Sequence, residues 1–246
     1  MLILHCKIQK QSMTGERYLI VTAGGSGTRM GASVPKQFLE LDGIPILHHT
    51  IARFAEACPG LKFITVLPAD HLLAWRRYCQ RTSLLPPQRL VQGGFTRFHS
   101  VKNALQYVPD GVLVAVHDGV RPLISVEKIR EMFAQMETAR ALIPVVPMVD
   151  TLKVLDKAED GSLRTGEGAP DRSRIYGAQT PQIFRSEDLK AAYQQGYDTA
   201  FTDDASVAQK YGIPLSYIAG ERYNIKITEP ADLTLAEALY SLSRRE

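Results

Sequence analysis

The sequence predicts an α/β domain: a mostly parallel sheet flanked by helices, with one projecting β-arm. Three observations carry this. Apolar, β-branched runs alternate with helix-period segments; a glycine cluster closes the first run; and a charged, glycine-bearing stretch, residues 157–171, breaks the alternation. The 246 residues, 45% hydrophobic and 22% charged, have ordinary globular composition and are enough to bury a core without staples.

In chain order, residues 1–16 read as a ragged extension outside the fold, with Met13 a second candidate start. A single domain then occupies 17–246. Residues 18–23 read as a buried strand. Residues 45–57 read as a helix, because Ile46, Leu47, Ile51, Phe54 and Ala55 share a face. Residues 62–67 follow as a strand, and 71–81 and 96–108 as helices. The run VLVAVHD, from Val112, is continuous and β-branched, a strand buried on both faces. Ser125 reads as the cap of a helix through Thr138. In ALIPVVPMV, Pro144 and Pro147 predict a bend or an edge position. The stretch KAEDGSLRTGEGAPD lies between TLKVL and SRIYGA, and places the arm at about residues 151–176. Helices near 186–196 and 203–211, the strand LSYIAG and a helix opening at Pro230 complete the order; proline suits a first helical turn.

Composition removes several classes of function. A net charge of +3 is too small for a nucleic-acid surface, so any anion binding must come from local Arg and Lys clusters. Cys6, Cys58 and Cys79 form no CxxC pair, which excludes the usual zinc and redox motifs and suits a reducing, cytoplasmic setting. No apolar run approaches the roughly 18 residues that span a bilayer. GxSxG and HxxxH are absent, which leaves a serine hydrolase without its elbow and His48-His49 without metal spacing.

Five clusters remain. In YLIVTAGGSGTRMGASVPKQF, Gly24, Gly25, Gly27, Arg29, Gly31 and Lys36 follow the first strand. The spacing fails GxGxxG, and no GK[ST] follows, so neither the dinucleotide fingerprint nor the Walker loop applies. Glycines that bare their N–H groups, with two cations close by, suit a polyphosphate better than a plain turn. Asp118, in VHDGVRP, falls at the carboxyl end of its strand, where open α/β sheets bind ligands. It suits a divalent cation, and Arg121 suits a phosphate or Asp118 itself; a helix cap or structural ion pair is the plainer alternative. In QGGFTRFHS, Gly93, Gly94 and Ser100 suit a base or ribose, or an ordinary turn before a helix. In NIKITEP, Lys226 stands on one face of a strand, toward solvent or toward a phosphate. In TDDAS, Thr202 reads as a helix N-cap, with Asp203 and Asp204 favoured by the helix dipole.

Together TAGGSGTRMG…PKQF, GG…R..SV, HDGVRP, DTLK, AQTPQIF, TDDAS and NIKIT resemble, in order and approximate spacing, the 2-C-methyl-D-erythritol 4-phosphate cytidylyltransferase family across nearly the whole domain. The resemblance implies a Rossmann-like nucleotidyltransferase fold and a homodimer interlocked by its arms. It implies transfer of CMP from CTP to a small polyol phosphate in the non-mevalonate route to isoprenoids, with Mg²⁺ or another divalent cation. It assigns Ala23, Gly24, Gly25, Gly27, Arg29 and Lys36 to the CTP cradle, and Gly93, Gly94 and Ser100 to the cytosine and ribose. Asp118 falls beside the metal and triphosphate. Thr151, Arg172, Thr180 and Thr202 face the second substrate, Arg172 from the partner subunit, and Lys226 lies between the two phosphates. The resemblance makes Arg29, Lys36 and Lys226 the catalytic cations. The family often has alanine at position 24 and HDAARP where this chain has Gly119 and Val120. Ribitol-5-phosphate cytidylyltransferase is the near alternative, less like this chain in DTLK and TDDAS. A non-catalytic nucleotide-binding module is a second, opposed by the joint presence of Arg29, Lys36, Asp118 and Lys226. A Rossmann dehydrogenase is disfavoured by the failed glycine spacing.

Overall fold

The computed structural model describes residues 15–25, 35–82 and 84–243. The first half of the chain runs β1 (Arg17–Thr22), β2 (Glu40–Leu41), β3 (Ile44–Pro45), α1 (Ile46–Ala57), β4 (Lys62–Leu67), α2 (Ala69–Thr82), β5 (Gln88–Gln92), α3 (Arg97–Leu105) and β6 (Leu113–Asp118). The second half runs α4 (Val126–Gln135), β7 (Ala141–Pro147), β8 (Leu155–Lys157), β9 (Leu163–Thr165), β10 (Tyr176–Ala178), β11 (Gln182–Arg185), α5 (Ser186–Ala192), α6 (Asp204–Tyr211), β12 (Ser216–Ala219) and α7 (Pro230–Ser243). Short 3-10 turns occupy Lys36–Phe38 and Arg172–Arg174.

The main sheet has the order β10-β7-β11-β6-β1-β4-β5, with β12 also paired to β7. The block β6-β1-β4-β5 is wholly parallel, as is β12 with β7, while β11 and β10 run antiparallel to their neighbours. Parallel strands are apolar along their length because helices cover both faces. Alternate residues of β1 show the two faces. Leu19 and Val21 pack with Leu47, Ile51 and Phe54 of α1 and with Ile129 and Met132 of α4. Ile20 points the other way, into Phe98 and Val101 of α3, Leu189 of α5 and Val207 of α6. A smaller cluster of Leu41, Ile46, Val120, Ile227 and Ala236 ties the β2–β3 hairpin, the loop after β6, the segment before α7 and α7 itself into one wall.

Two sequence expectations are corrected. β7 is an interior strand, flanked by β12 on one side and by β11 and then β10 on the other. Its prolines are tolerated because the neighbour changes there. β11 pairs as far as Leu142 and β10 begins opposite Val145, so the N–H that Pro144 lacks faces the gap between them; its carbonyl accepts from Gln179 N–H at 2.8 Å. NIKIT is an extended loop, not a strand. Its alternation survives because Ile227 is fully buried and its N–H donates to Val120 O at 2.9 Å, while Lys226 turns outward. The charged stretch after β7 forms the β8–β9 hairpin, which pairs with no strand of the main sheet.

Candidate active site

β1 and β6 are adjacent and parallel, and their last residues, Thr22 and Asp118, are register partners. Both side chains therefore meet at the carboxyl edge of the sheet, where β4 and β5 also end. The loops leaving these strands enclose a pocket of about 410 Å³. Its walls include Ala23, Gly24, Gly25, Lys36, Gly94, Arg97, Ser100, Asp118 and Lys226. A larger, more apolar hollow of about 730 Å³ lies between β7, β10, β12 and α6, but it lacks these convergent cations.

Asp118 is the electrostatic centre. Its side chain is 8% exposed, too buried to stay charged without partners. Three cations supply them. Lys226 Nζ lies 3.0 Å and Arg121 Nε 3.2 Å from Oδ2, and Arg97 Nε lies 3.6 Å from Oδ1. Burial alone would raise this carboxyl; Arg97, Lys226 and Arg121 overcome it and hold Asp118 far below the usual carboxylate range. Its backbone N–H donates to Thr180 Oγ1 at 3.0 Å.

Each cation is itself held. Arg121 Nη1 donates to Asn224 O at 2.7 Å, which joins the loop after β6 to the segment carrying Lys226. Arg97, the first residue of α3, donates to Asp204 Oδ2 at 2.6 Å. Asp204 is fully buried in the first turn of α6, and its other oxygen accepts from Tyr193 Oη at 2.6 Å. Burial opposes the Arg97 charge, but Asp204 and Asp118 more than offset this and raise its pKa. Lys36 opens a 3-10 turn whose next residue, buried Gln37, donates to Ala23 O at 2.8 Å and pins the start of the glycine loop.

The glycines differ in what they permit. A Cβ on Gly94 would lie 2.4 Å from His99 Cβ, a contact that cannot be accommodated without moving α3. A Cβ on Gly24 would meet Ser100 Oγ at 3.7 Å, an ordinary contact, so the alanine common in the family fits. A Cβ on Gly119 would lie 3.0 Å from Leu47 Cδ1, so the alanine of HDAARP would require Leu47 to shift.

The pocket thus gathers Ala23, Gly24, Gly25, Lys36, Gly94, Ser100, Asp118 and Lys226. Gly93 adjoins it, its N–H bonded to Leu67 O at 2.8 Å. Gly27 and Arg29 lie outside the described residues. Thr180 is buried behind Asp118 rather than facing the pocket. Thr151, Arg172 and Thr202 are exposed and line no part of it; Arg172 Nη1 donates to Val149 O at 2.9 Å. Thr202 is not the N-cap of α6. Asp203 is, in a reciprocal capping box with Ser206, because its carboxylate reaches Ser206 N–H at 2.8 Å. Sequence reasoning gave Asp204 only its helix-dipole role, which its place in the first turn of α6 suits, and missed the pairing of Arg97 with Asp204. Their partnership spans 107 positions, and the only local signal was an arginine shortly after a glycine pair.

Among the described residues no group of three or more His, Cys, Asp or Glu side chains is placed to hold a metal. Asp118 is the single carboxylate among the described residues lining the pocket, and both its oxygens already face cations. This donor set does not form a protein cage; it fits a divalent ion that arrives on phosphate oxygens and keeps its waters. No helix among the described residues is long and apolar enough to cross a membrane.

Residues 18–241 match the family model described as 2-C-methyl-D-erythritol 4-phosphate cytidylyltransferase. The protein of that name from Porphyromonas gingivalis is 49% identical over 228 residues, 92% of this chain and 99% of its own length. That from Phocaeicola vulgatus is 43% identical, covering 91% of this chain and 99% of its own. Among solved structures, 4-diphosphocytidyl-2C-methyl-D-erythritol synthase from Anaerococcus prevotii is similar with a TM-score of 0.74 at 26% identity, covering 92% of this chain and 99% of its own. The cytidylyltransferase from Thermus thermophilus has a TM-score of 0.71 at 28% identity, covering 92% and 99%.

Proposed function

The chain belongs to the 2-C-methyl-D-erythritol 4-phosphate cytidylyltransferase family, and on that premise we propose that the pocket around Asp118 is where CMP passes from CTP to 2-C-methyl-D-erythritol 4-phosphate. The enzyme is a CTP-dependent nucleotidyltransferase. The products are 4-diphosphocytidyl-2-C-methyl-D-erythritol and pyrophosphate. The observation that carries the site is Asp118 at the sheet's carboxyl edge with Lys226, Arg121 and Arg97 around it.

The nucleophile is a phosphate monoester oxygen of the polyol phosphate, already anionic near neutral pH. A bond forms from that oxygen to the α-phosphorus of CTP. The α-phosphorus bond to the bridging oxygen breaks, and pyrophosphate departs with the electron pair. No general base is needed. The chemical difficulty is to bring two anions together, and the protein meets it by placement and charge. Glycine N–H groups and Lys36 take the triphosphate, together with Arg29 as the family resemblance assigns it. Lys226, tethered to Asp118, reaches between the two phosphates. A divalent cation, Mg²⁺ in the simplest case, would lie on the triphosphate beside Asp118 and offset its charge.

Thr151, Thr180 and Thr202 belong in this reading to the second-substrate side. So does Arg172, which lies outside its own chain's pocket and is contributed by the partner in a homodimer. The hairpin that would build that dimer presents Val154, Leu155 and Leu163 to solvent, an apolar surface suited to a second copy. A cytoplasmic location fits the sparse cysteines, of which Cys58 and Cys79 are free.

The deciding experiment incubates the protein with CTP and either methylerythritol phosphate or ribitol phosphate, and follows pyrophosphate. Release with methylerythritol phosphate is expected. Preference for ribitol phosphate overturns the substrate assignment, and CTP binding without release overturns the enzyme assignment.

A further inference from the structure

Phe95 is 103% exposed, whereas the chain's seven other phenylalanines are buried or half-buried. The loop carrying it is not slack. Gly93 N–H donates to Leu67 O at 2.8 Å, Gly94 N–H to Ser100 Oγ at 3.0 Å, and Ser100 N–H to Thr96 O at 3.0 Å. Close packing of Gly94 on His99 fixes the same turn. The Phe95 ring lies at 90° to that of His99, centroids 6.5 Å apart, and its full exposure leaves it open to a partner ring. A firmly held loop therefore presents a large apolar ring to water at the pocket mouth, and Phe95 is the only aromatic side chain among the described residues that line the pocket.

A nucleoside triphosphate carries two unlike groups, a polyanion and a flat ring. Lys36, Arg97 and Lys226 answer the first. Among the described lining residues Phe95 alone offers an aromatic face to the second. We propose that Phe95 stacks on the nucleobase of the bound nucleotide and is a binding residue for the base. The proposal rests on reading this pocket as a nucleoside triphosphate site. Every base has a π-face, so stacking separates a nucleotide from a bare polyphosphate rather than cytosine from uracil. Choice among bases falls to hydrogen-bonding groups such as the backbone of Gly94 and the Ser100 hydroxyl.

The test uses the full chain with Phe95→Ala and Phe95→Trp. Phe95 is exposed, so neither substitution disturbs the core. Phe95→Ala is expected to raise KM for CTP roughly tenfold. The loss falls on binding rather than kcat, and KM for the polyol phosphate stays at its wild-type value. Phe95→Trp restores KM. Its indole emission is quenched by CTP and much less by inorganic tripolyphosphate; Trp75, the native tryptophan, is 1% exposed, and the wild type supplies its background. An unchanged KM for CTP in Phe95→Ala, a raised KM for the polyol phosphate instead, or equal quenching by tripolyphosphate overturns the proposal. The titration needs no turnover. Failure of the stack is therefore distinguishable from failure of the cytidylyltransferase reading, which shows as absence of pyrophosphate release by the wild type.

Discussion

His117 and Asp118 are consecutive, both buried, and respond to acid in different ranges. His117 is wholly enclosed, its Nε2–H donating to Arg121 O at 3.1 Å and its ring 4.7 Å from that of Phe54. Burial is the main cause that lowers its pKa from 6.5 to about 4, so the folded protein binds this proton more weakly than the unfolded chain. Above pH 6.5 neither state is protonated and the contribution to stability is complete; it is lost as pH falls through about 4. That window is worth about 3 kcal/mol. Urea unfolding at a series of pH values should show the slope in the wild type and lose it in His117→Asn. A flat profile in the wild type would sink the idea. Asp118, depressed rather than displaced into this window, keeps its contribution down to stronger acid. Lys36 belongs to the same scale. Lys36→Ala should lower kcat about 10²–10³-fold, the loss expected for a cation that acts on charge developing in the transition state; near-normal turnover would remove Lys36 from the mechanism.

At the scale of elements, the site depends on the start of α3. Gly94 is the residue whose Cβ has no room, and Gly24, across Ser100 from it, is the one with room to spare. Gly94→Ala should destabilise the protein by about 1–3 kcal/mol and weaken CTP binding by shifting Ser100. Gly24→Ala should be close to neutral in both. Thermal melts and CTP titrations of the two variants check this, and equal behaviour would refute it. The same scale shows what the sequence made legible. β1, β4 and β6 were readable because burial on both faces forces continuous apolar runs, and the end of β6 put Asp118 in view. β10 and β11 are three and four residues long, and β5 is half-exposed, so none shows a periodicity. Of the bend or edge position offered for β7, the edge failed because a change of neighbour at Pro144 does what an edge does. The strand assigned around Lys226 failed because alternation there comes from anchoring Ile227 in a small cluster, without a ladder. The Arg97–Asp204 pair was hidden because tertiary folding alone brings α3 to α6.

At the scale of the whole molecule, Arg172 lies outside the pocket it is proposed to serve. If the partner supplies it, inactive Arg172→Ala and inactive Lys226→Ala chains, mixed and allowed to exchange subunits, should regain activity, because every mixed dimer contains one site with both residues. Light scattering should report two chains per particle. A monomer, or a mixture as inactive as its parents, would place Arg172 elsewhere.

The crowding of cations about Asp118 has a consequence for capture as well as turnover. Among the described residues Lys36, Arg97, Arg121 and Lys226 gather in and beneath the pocket with Asp118 and Asp204, and with Asp232 acting on Lys36, so cations still outnumber carboxylates there on a chain whose net charge is only +3. The field is therefore local, a funnel at one edge of the sheet for a highly charged anion. Salt should shrink its reach: at about 0.15 M ions screen beyond roughly 8 Å, and at 1 M beyond roughly 3 Å. Raising ionic strength should lower kcat/KM for CTP while leaving kcat much flatter, since ions that slow the nucleotide's approach are excluded once it is seated.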